Sequence, residues 1–281
     1  MPSPATTPRQ PLTGRCIAVT RAEAQAGEAR RLFEQTGAAV IDLPALVVTP
    51  PSDWGPLDDA LLELESFHWL ILSSSNGVDA VDARLRRQGR SLAHRPQGLK
   101  IAAVGRKTAQ RLEELGAAVD FIPPAFVADS LIEHFPSSAW GLRLLIPRVQ
   151  SGGRTVLAEA FAEAGARVVE VAAYDTACPS GLPSATVAAL DQGRLDAVTF
   201  SSAKTVRHTA AMLQAAFGEQ WRTLLEPHGQ RQRPLAIVSI GPQTSKACQE
   251  LLGRVDGEAD PHDLDGLVSA CITVLGTAAQ P

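Results

Sequence analysis

The chain alternates short, continuously apolar runs with longer segments in which apolar residues recur every three or four positions. The short runs predict β-strands that are buried on both faces. They are IAVT, LIL, IAAV, LLI, VTF and AIVSI. In the longer segments, spacings such as Val78, Val81 and Leu85 place one apolar stripe along a helix. Alternating strands and helices of this kind predict parallel sheets with right-handed crossover connections.

Three pairs of similar segments recur along the chain, each with an apolar strand, a polar loop and a helix. The pairs are Gly14–Leu46 with Gly141–Tyr174, Leu70–Val81 with Val198–Thr209, and Lys100–Gly116 with Leu235–Gly253. This repetition indicates two diverged copies of one unit. Four predicted helices stop at a glycine, which accepts the left-handed conformation that such a stop needs. These glycines are Gly37, Gly116, Gly165 and Gly253. We therefore predict an α/β fold of two similar doubly wound parallel-sheet domains with the flavodoxin-like strand order.

Composition limits the classes of function. The 281 residues are enough for two domains, and a hydrophobic content of 45% allows a core in each. The net charge of −4 and the lack of a basic stripe argue against a nucleic-acid partner. No apolar run approaches the roughly 20 residues of a membrane span, so no membrane contact is expected. Residues 1–11 lack the apolar region of a secretory signal, and we expect a disordered leader there.

Neither a metal site nor a cofactor site is predicted. The four cysteines are far apart and form no CxxC pair, which favours reduced thiols in a cytoplasmic protein. They are Cys16, Cys178, Cys248 and Cys271. The six histidines are scattered, and we interpret them as structural or surface residues. The chain has no P-loop, no GxGxxG motif and no legible Ser–His–Asp set.

Hydroxyl-bearing loops follow several predicted strands. They are Ser73–Gly77, Gly105–Thr108, Ser201–Thr205 and Gly241–Thr244. In open parallel sheets, ligands bind beyond the carboxyl ends of the strands. A helix that begins there offers unpaired N–H groups and about half a positive charge, which attract phosphate or carboxylate. The hydroxyls could instead only cap these helices, so both roles stay open for each Ser or Thr.

Basic residues lie at the same predicted edges. Arg21 and Arg148 follow strands, whereas Arg154, Arg106, Lys107 and Lys204 lie at helix starts. A basic residue at a helix N-terminus opposes the helix dipole and costs stability, which indicates an anionic ligand. The alternative for each is a solvated surface charge. Together with the helix starts, these residues predict a site for an anionic molecule without a strong nucleophile.

The chain resembles the uroporphyrinogen-III synthase family over nearly all of Leu12–Ala270. The segments that carry the resemblance are VTRA, SSSNGVDAV, AVGRKTAQRLEELG, PRVQSGGRTVLAEAFAEAGARV, VAAYDT, FSSAKTV and SIGPQTSKA. Each segment is loosely defined alone, but their order and spacing together are specific. The resemblance implies two domains joined by a two-stranded connector that the chain crosses twice. It places residues 12–44 with 176–281 in one domain and residues 45–175 in the other.

The resemblance also implies that the protein is an enzyme, namely a cyclising hydro-lyase of heme and other tetrapyrrole biosynthesis. The family converts hydroxymethylbilane to uroporphyrinogen III by losing water and inverting ring D through a spiro intermediate, and it uses no cofactor. Tyr174 matches the family's proposed acid. An amphipathic residue packed at the domain junction is the alternative role.

We expect the polycarboxylate substrate to bind hydroxyls, amides and basic groups. The predicted substrate-binding residues are Arg21, Ser73, Ser74, Asn76, Thr108, Arg148, Arg154, Ser201, Ser202, Lys204 and Thr244. The family suggests a monomer, to which the bilane-forming enzyme could hand over the substrate. Two competing interpretations are a non-catalytic binding or sensor protein for an anionic metabolite and, less favoured, a sugar-nucleotide transferase.

Overall fold

The computed structural model describes residues 10–21, 23–125, 127–152 and 155–276. The chain folds into two compact units. Unit 1 comprises the described residues up to Val47 and from Ala177 onward, and unit 2 comprises Val48–Thr176. The predicted division set the crossings at residues 44–45 and 175–176, whereas the compact units change at 47–48 and 176–177. Of the predicted leader, residues 1–9 lie outside the described residues, and Gln10 and Pro11 are exposed.

The helices and strands follow one another in a regular βα order. The first are β1 (Cys16–Val19), α1 (Glu23–Gln35), β2 (Ala39–Asp42), β3 (Val47–Thr49), α2 (Gly55–Leu62), β4 (Trp69–Leu72), α3 (Ser75–Arg87), β5 (Lys100–Ala103), α4 (Arg106–Glu114) and α5 (Ala128–Glu133). The rest are β6 (Arg143–Val149), α6 (Val156–Glu163), β7 (Arg167–Ala177), α7 (Ser184–Asp191), β8 (Ala197–Phe200), α8 (Ala203–Phe217), β9 (Ala236–Ser239), α9 (Pro242–Leu252), β10 (Gly257–Glu258) and α10 (Leu264–Gly276).

Unit 1 contains a sheet in the order β2-β1-β8-β9-β10, with parallel pairing between neighbours. Numbered along the chain within the unit, this is the order 2-1-3-4-5 of flavodoxin-like folds. Unit 2 contains a sheet in the order β3-β7-β6-β4-β5, and β7, β6, β4 and β5 pair in parallel. The predicted α/β class with two parallel sheets is therefore confirmed. Numbered in the same way, unit 2 has the order 1-5-4-2-3, so the predicted flavodoxin-like order is found in unit 1 and is wrong for unit 2.

The three repeat pairs occupy corresponding places in the two sheets. Strands β2, β1, β8 and β9 of unit 1 correspond to β7, β6, β4 and β5 of unit 2, in the same spatial order. The β1-α1-β2 segment comes first in unit 1, whereas its counterpart β6-α6-β7 comes last in unit 2. The chain therefore passes from unit 1 to unit 2 within β3 and returns to unit 1 at the end of β7. These two strands are neighbours in the sheet.

Apolar side chains cover both faces of each sheet. In unit 2, Leu70 and Leu72 enter the core on one face, while Trp69 and Ile71 enter the core on the other. Strand residues alternate between faces, so a doubly covered strand has no polar position. Each fully buried Leu or Ile side chain stabilises the unit by about 1.5–3 kcal/mol. This burial explains the continuous apolar runs and fixes the carboxyl edges of the strands.

The predicted helix stops are confirmed by the backbone. Gly37, Gly116, Gly165 and Gly253 have φ angles of 86°, 78°, 87° and 85°. At Gly253, the left-handed conformation ends α9, as a glycine at this position allows without a Cβ clash. Within the described residues, no helix is both long enough and apolar enough to cross a bilayer.

Candidate active site

In unit 2, β4 ends at Leu72 and α3 begins two residues after Ser73. Ser74 is the N-cap of α3, with extended φ and ψ angles of −149° and 151°. The Gly77 N–H donates to Ser74 Oγ over 3.1 Å. Ser73 is exposed and Asn76 is half-buried, so both side chains reach solvent at this strand end. Capping is therefore one observed role of Ser74, as the residue pattern allowed.

The same serine contacts the only tyrosine of the chain. Ser74 Oγ–H donates to Tyr174 Oη over 3.0 Å. Tyr174 lies near the end of β7 and is half-buried. The register between β6 and β7 shifts immediately before Tyr174, and the Gln150 N–H donates to the Tyr174 carbonyl over 2.7 Å. Such a bulge re-aims a side chain, here toward the start of α3.

The third pair of repeats places two threonines at matching positions. Gly105 precedes α4 and Gly241 precedes α9, and neither helix has a side-chain cap. Thr108 and Thr244 are the third residues of these helices, and they are 3% and 4% exposed. Their hydroxyls are therefore poorly accessible, and an anion would meet backbone N–H groups instead. In α4 these are the first N–H groups of the helix, whereas in α9 only the Gln243 N–H is available, because Pro242 has no N–H and the Thr244 N–H donates to the Gly241 carbonyl.

Unit 1 repeats the serine-rich start at α8. Ser202 is the N-cap, and its Oγ accepts a hydrogen bond from the Thr205 N–H over 3.2 Å. Thr205 Oγ1 in turn accepts from the Ser202 N–H over 3.3 Å, which completes a capping box. Ser201 is half-buried beside it. Ser202 and Ser74 thus cap corresponding helices, but only Ser74 contacts a tyrosine.

The two strand-end arginines have different surroundings. Arg148 Nε lies 3.0 Å from Glu170 Oε1 on the neighbouring strand β7. Asp42 has the register position in unit 1 that Glu170 has in unit 2, and Arg21 corresponds to Arg148. Arg148 and Glu170 therefore form an ion pair that the corresponding residues of unit 1, Arg21 and Asp42, do not form.

The Arg21 guanidinium is only partly satisfied in the described part of the chain. Its Nε is buried without a hydrogen-bond partner there, and so is Asp42 Oδ1. Asp42 Oδ2 accepts instead from Arg30 over 2.7 Å. Burial lowers the pKa of Arg21, although Glu28 opposes this shift. An anion bound beside Arg21 would offset the cost of this desolvation.

The remaining predicted cations are less well placed. Lys204 is half-buried in the first turn of α8, and Arg106 and Lys107 are exposed at the start of α4. Arg154 lies outside the described residues.

One histidine reaches the edge of unit 1, which the sequence pattern had not indicated. The ring of His262 lies against Gly241, where a Cβ would meet Cγ of the ring at 3.3 Å. His262 Nδ1 is 2.7 Å from the Ala259 carbonyl, so Nδ1 carries the proton that is donated. The sequence signal that could have indicated this contact is the position of His262 just after the short strand β10.

The cysteines are free thiols, as predicted. Burial raises the pKa of Cys248 to about 12, with a further contribution from Asp256, and burial also raises the pKa of Cys271. Both thiols therefore stay protonated and are poor nucleophiles. Among the residues that the structure describes, no group of His, Cys, Asp or Glu side chains is arranged to hold a metal ion.

These features define a class: a two-domain, doubly wound α/β protein whose sheets end in helix starts suited to an anionic small molecule. The family model described as uroporphyrinogen-III synthase HemD matches residues 27–269. A uroporphyrinogen-III synthase of Synechococcus elongatus is 46% identical over 261 residues, which cover 93% of this chain and 96% of the relative. The chain belongs to the uroporphyrinogen-III synthase family, as predicted.

More distant relatives agree with this assignment. A uroporphyrinogen-III synthase of Chlorobaculum parvum is 26% identical over 84% of this chain and 98% of its own. A solved mutant uroporphyrinogen III synthase from Thermus thermophilus has a TM-score of 0.53 at 17% identity and covers 94% of this chain and 99% of its own. A solved uroporphyrinogen-III synthetase from Helicobacter pylori has a TM-score of 0.53 at 14% identity, with coverages of 92% and 99%. The structural matches support the fold, and the sequence matches favour the enzyme over a non-catalytic binding or sensor protein.

Proposed function

We propose that this chain closes hydroxymethylbilane to uroporphyrinogen III with inversion of ring D, and that the carboxyl edges of its sheets bind the substrate. The observation that carries the proposal is the Tyr174 hydroxyl, held beside the start of α3 by Ser74 over 3.0 Å. Membership of the family supports the reaction.

The substrate carboxylates bind at helix starts in both units. In unit 2, Ser73, Asn76 and the first N–H groups of α3 and α4 face the strand ends. In unit 1, Ser201, the first N–H groups of α8 and the Gln243 N–H of α9 do the same, because Pro242 has no N–H and the Thr244 N–H donates to the Gly241 carbonyl. Unpaired N–H groups and the helix dipole make these starts favourable for anions. The buried Thr108 and Thr244 then act through the backbone of their helices.

Arginines supply the fixed positive charge. Arg21 binds a substrate carboxylate with its half-buried guanidinium, which gains the partner that its Nε lacks in the described residues. Arg148 contributes less, because Glu170 already neutralises it. Lys204 and Arg154 complete the proposed set of cations.

Tyr174 acts as the proton donor. Its phenol O–H protonates the hydroxymethyl oxygen as the C–O bond breaks, water leaves, and electrons from the pyrrole nitrogen form an azafulvenium cation. Ring D attacks this electrophile through its substituted carbon to give the spiro intermediate, which fragments and recloses with the ring inverted. Reclosure forms a C–C bond at the α-carbon of ring D that still carries hydrogen, and the proton lost from that carbon restores the phenol. Positioning contributes about 7–11 kcal/mol of barrier reduction, and one proton donor contributes about 10²–10⁴-fold.

The test of this function is the isomer of the product. Purified protein is incubated with hydroxymethylbilane, the products are oxidised, and the type I and type III porphyrins are separated. Predominantly type III product is expected. Type I product alone, at the rate without protein, would instead favour the binding or sensor protein.

We propose in addition that the protein is a cytoplasmic monomer that receives its substrate from the bilane-forming enzyme. Four free thiols support a reducing compartment. In unit 1, the outward carbonyls of edge strand β2 are capped, since Arg30 donates to Val40 O over 3.2 Å and Thr186 donates to Asp42 O over 2.7 Å. Capping of this kind protects the edge against pairing with a second chain. Light scattering of the purified protein tests the monomer.

A further inference from the structure

We propose that Ser74 is a positioning residue that fixes the direction of the Tyr174 hydroxyl proton. This inference rests on the proposed role of Tyr174 as the proton donor. It changes the role of Ser74 from a direct substrate contact to a group that acts through the phenol.

The hydrogen-bond directions follow from the donors available. The Gly77 N–H can only donate, so Ser74 Oγ accepts that bond over 3.1 Å. A hydroxyl has one proton, and Ser74 gives it to Tyr174 Oη over 3.0 Å. Tyr174 Oη accepts this bond, so its own proton points away from Ser74. The chain of bonds from the Gly77 N–H through Ser74 therefore presents the phenol proton outward for donation.

The matching helix start in unit 1 shows that capping alone does not require this arrangement. Ser202 also caps its helix, but Thr205 three residues later forms a capping box with it. In unit 2 the third helical residue is Gly77, which has no side chain to return such a bond. The position of Tyr174, four residues beyond Glu170, corresponds in unit 1 to Leu46, four residues beyond Asp42. Only unit 2 combines a glycine at this helix position with a tyrosine on the facing strand.

The tyrosine is held from its backbone as well. The Gln150 N–H donates to the Tyr174 carbonyl over 2.7 Å, at the register shift between β6 and β7. Beyond that shift the ring packs against the core of unit 2. With the backbone, ring and oxygen all held, the remaining freedom of Tyr174 is the rotation of its O–H, which the Ser74 bond restricts. Pre-orientation of this kind favours proton transfer in the transition state.

A double-mutant cycle under single-turnover conditions tests the proposal. The variants are S74A, S74T, Y174F and S74A/Y174F, with S75A as the control that removes a neighbouring hydroxyl from the same helix start. One hydrogen bond corresponds to about 3–10-fold in rate. S74A is therefore expected to slow the chemical step about 3–10-fold with little change in KM, and S74T is expected to restore most of the rate. In the Y174F background, S74A should change the rate less than about 2-fold, because the group through which Ser74 acts is gone.

A second measurement reads the contact without turnover. Because the chain has one tyrosine, protein labelled with ¹³Cζ-tyrosine gives a single ring-carbon signal that depends on hydrogen bonding at Oη. S74A should shift this signal, while S74T and S75A should leave it near the wild-type position. An unchanged signal in S74A, or rate losses that multiply in S74A/Y174F, would overturn the role of Ser74 while Tyr174 remained the donor. A wild-type rate in Y174F would instead overturn the donor role of Tyr174, and with it this proposal.

Discussion

The two strand-end arginines provide the most informative comparison of substrate binding, because their sequences match but their surroundings differ. Arg21 has a buried Nε with no partner in the described residues, whereas Arg148 pairs with Glu170 over 3.0 Å. Replacing each by methionine keeps the apolar length of the side chain and removes the charge. We expect R21M to weaken substrate binding strongly and R148M to weaken it only slightly.

The magnitudes follow from these surroundings. A hydrogen bond to a charged group contributes about 1.5–3 kcal/mol, so R21M should raise KM about 10–100-fold. Its stability should be unchanged or slightly higher, because a half-buried, partly unsatisfied guanidinium is removed. The Arg148 and Glu170 side chains are 21% and 28% exposed, so solvent screens their ion pair. R148M should therefore lower the free energy of unfolding by about 1 kcal/mol and raise KM less than about 5-fold.

Steady-state kinetics with hydroxymethylbilane and urea unfolding of the same preparations measure both quantities. R207M removes an exposed arginine from α8 and serves as the control for charge loss. A larger rise in KM for R148M than for R21M would refute the assignment of Arg21 as the main anion-binding arginine. A loss of stability in R21M greater than that in R148M would show that Arg21 is a structural residue.

Two further predictions concern the framework that holds the site. Arg231 is 6% exposed and donates to four backbone carbonyls at 2.6–3.0 Å. R231M should therefore lower the free energy of unfolding by about 3–5 kcal/mol. A loss below about 1 kcal/mol in urea titrations would contradict this prediction. Burial raises the pKa of Asp120, but hydrogen bonds from Arg95 and the Ile101 N–H outweigh it and hold the pKa of this carboxyl below its usual value. The folded pKa lies below the unfolded one, so the stability that Asp120 contributes is present above about pH 4 and is lost as the pH falls through the folded pKa. D120N should therefore be less stable than wild type at pH 7, and the difference should shrink in unfolding curves measured at pH 3; a constant difference would rule the linkage out.

Much of the fold was predictable because six strands are mostly buried, namely β1, β4, β5, β6, β8 and β9. Continuous apolar runs identified the strands, and the three repeat pairs identified segments that the sheets place in the same order. The exchange of β1-α1-β2 from the start of one unit to the end of the other does not follow from local pattern. The family resemblance, rather than periodicity, implied the crossings that β3 and β7 make.

The candidate site was less predictable, because its contacts depend on register and separation. Ser74 and Tyr174 are 100 residues apart, and a shift of one residue between β6 and β7 decides where the phenol points. Arg21 and Arg148 both follow strands, so sequence alone could not show that Arg148 pairs with the acid of its neighbouring strand while Arg21 does not pair with Asp42. Thr108 matched the expected helix start, but its burial depends on the packing of α4.

We propose above all that the protein holds the folded bilane so that ring inversion follows, while Tyr174 speeds the loss of water. A single-turnover experiment with enzyme in excess, which measures both the rate and the isomer for wild type and Y174F, tests it most directly. We predict that Y174F forms product about 10²–10⁴-fold more slowly and that the enzyme-dependent product remains type III. Type I product from Y174F above the rate without enzyme, or type III product at the wild-type rate, would contradict the claim.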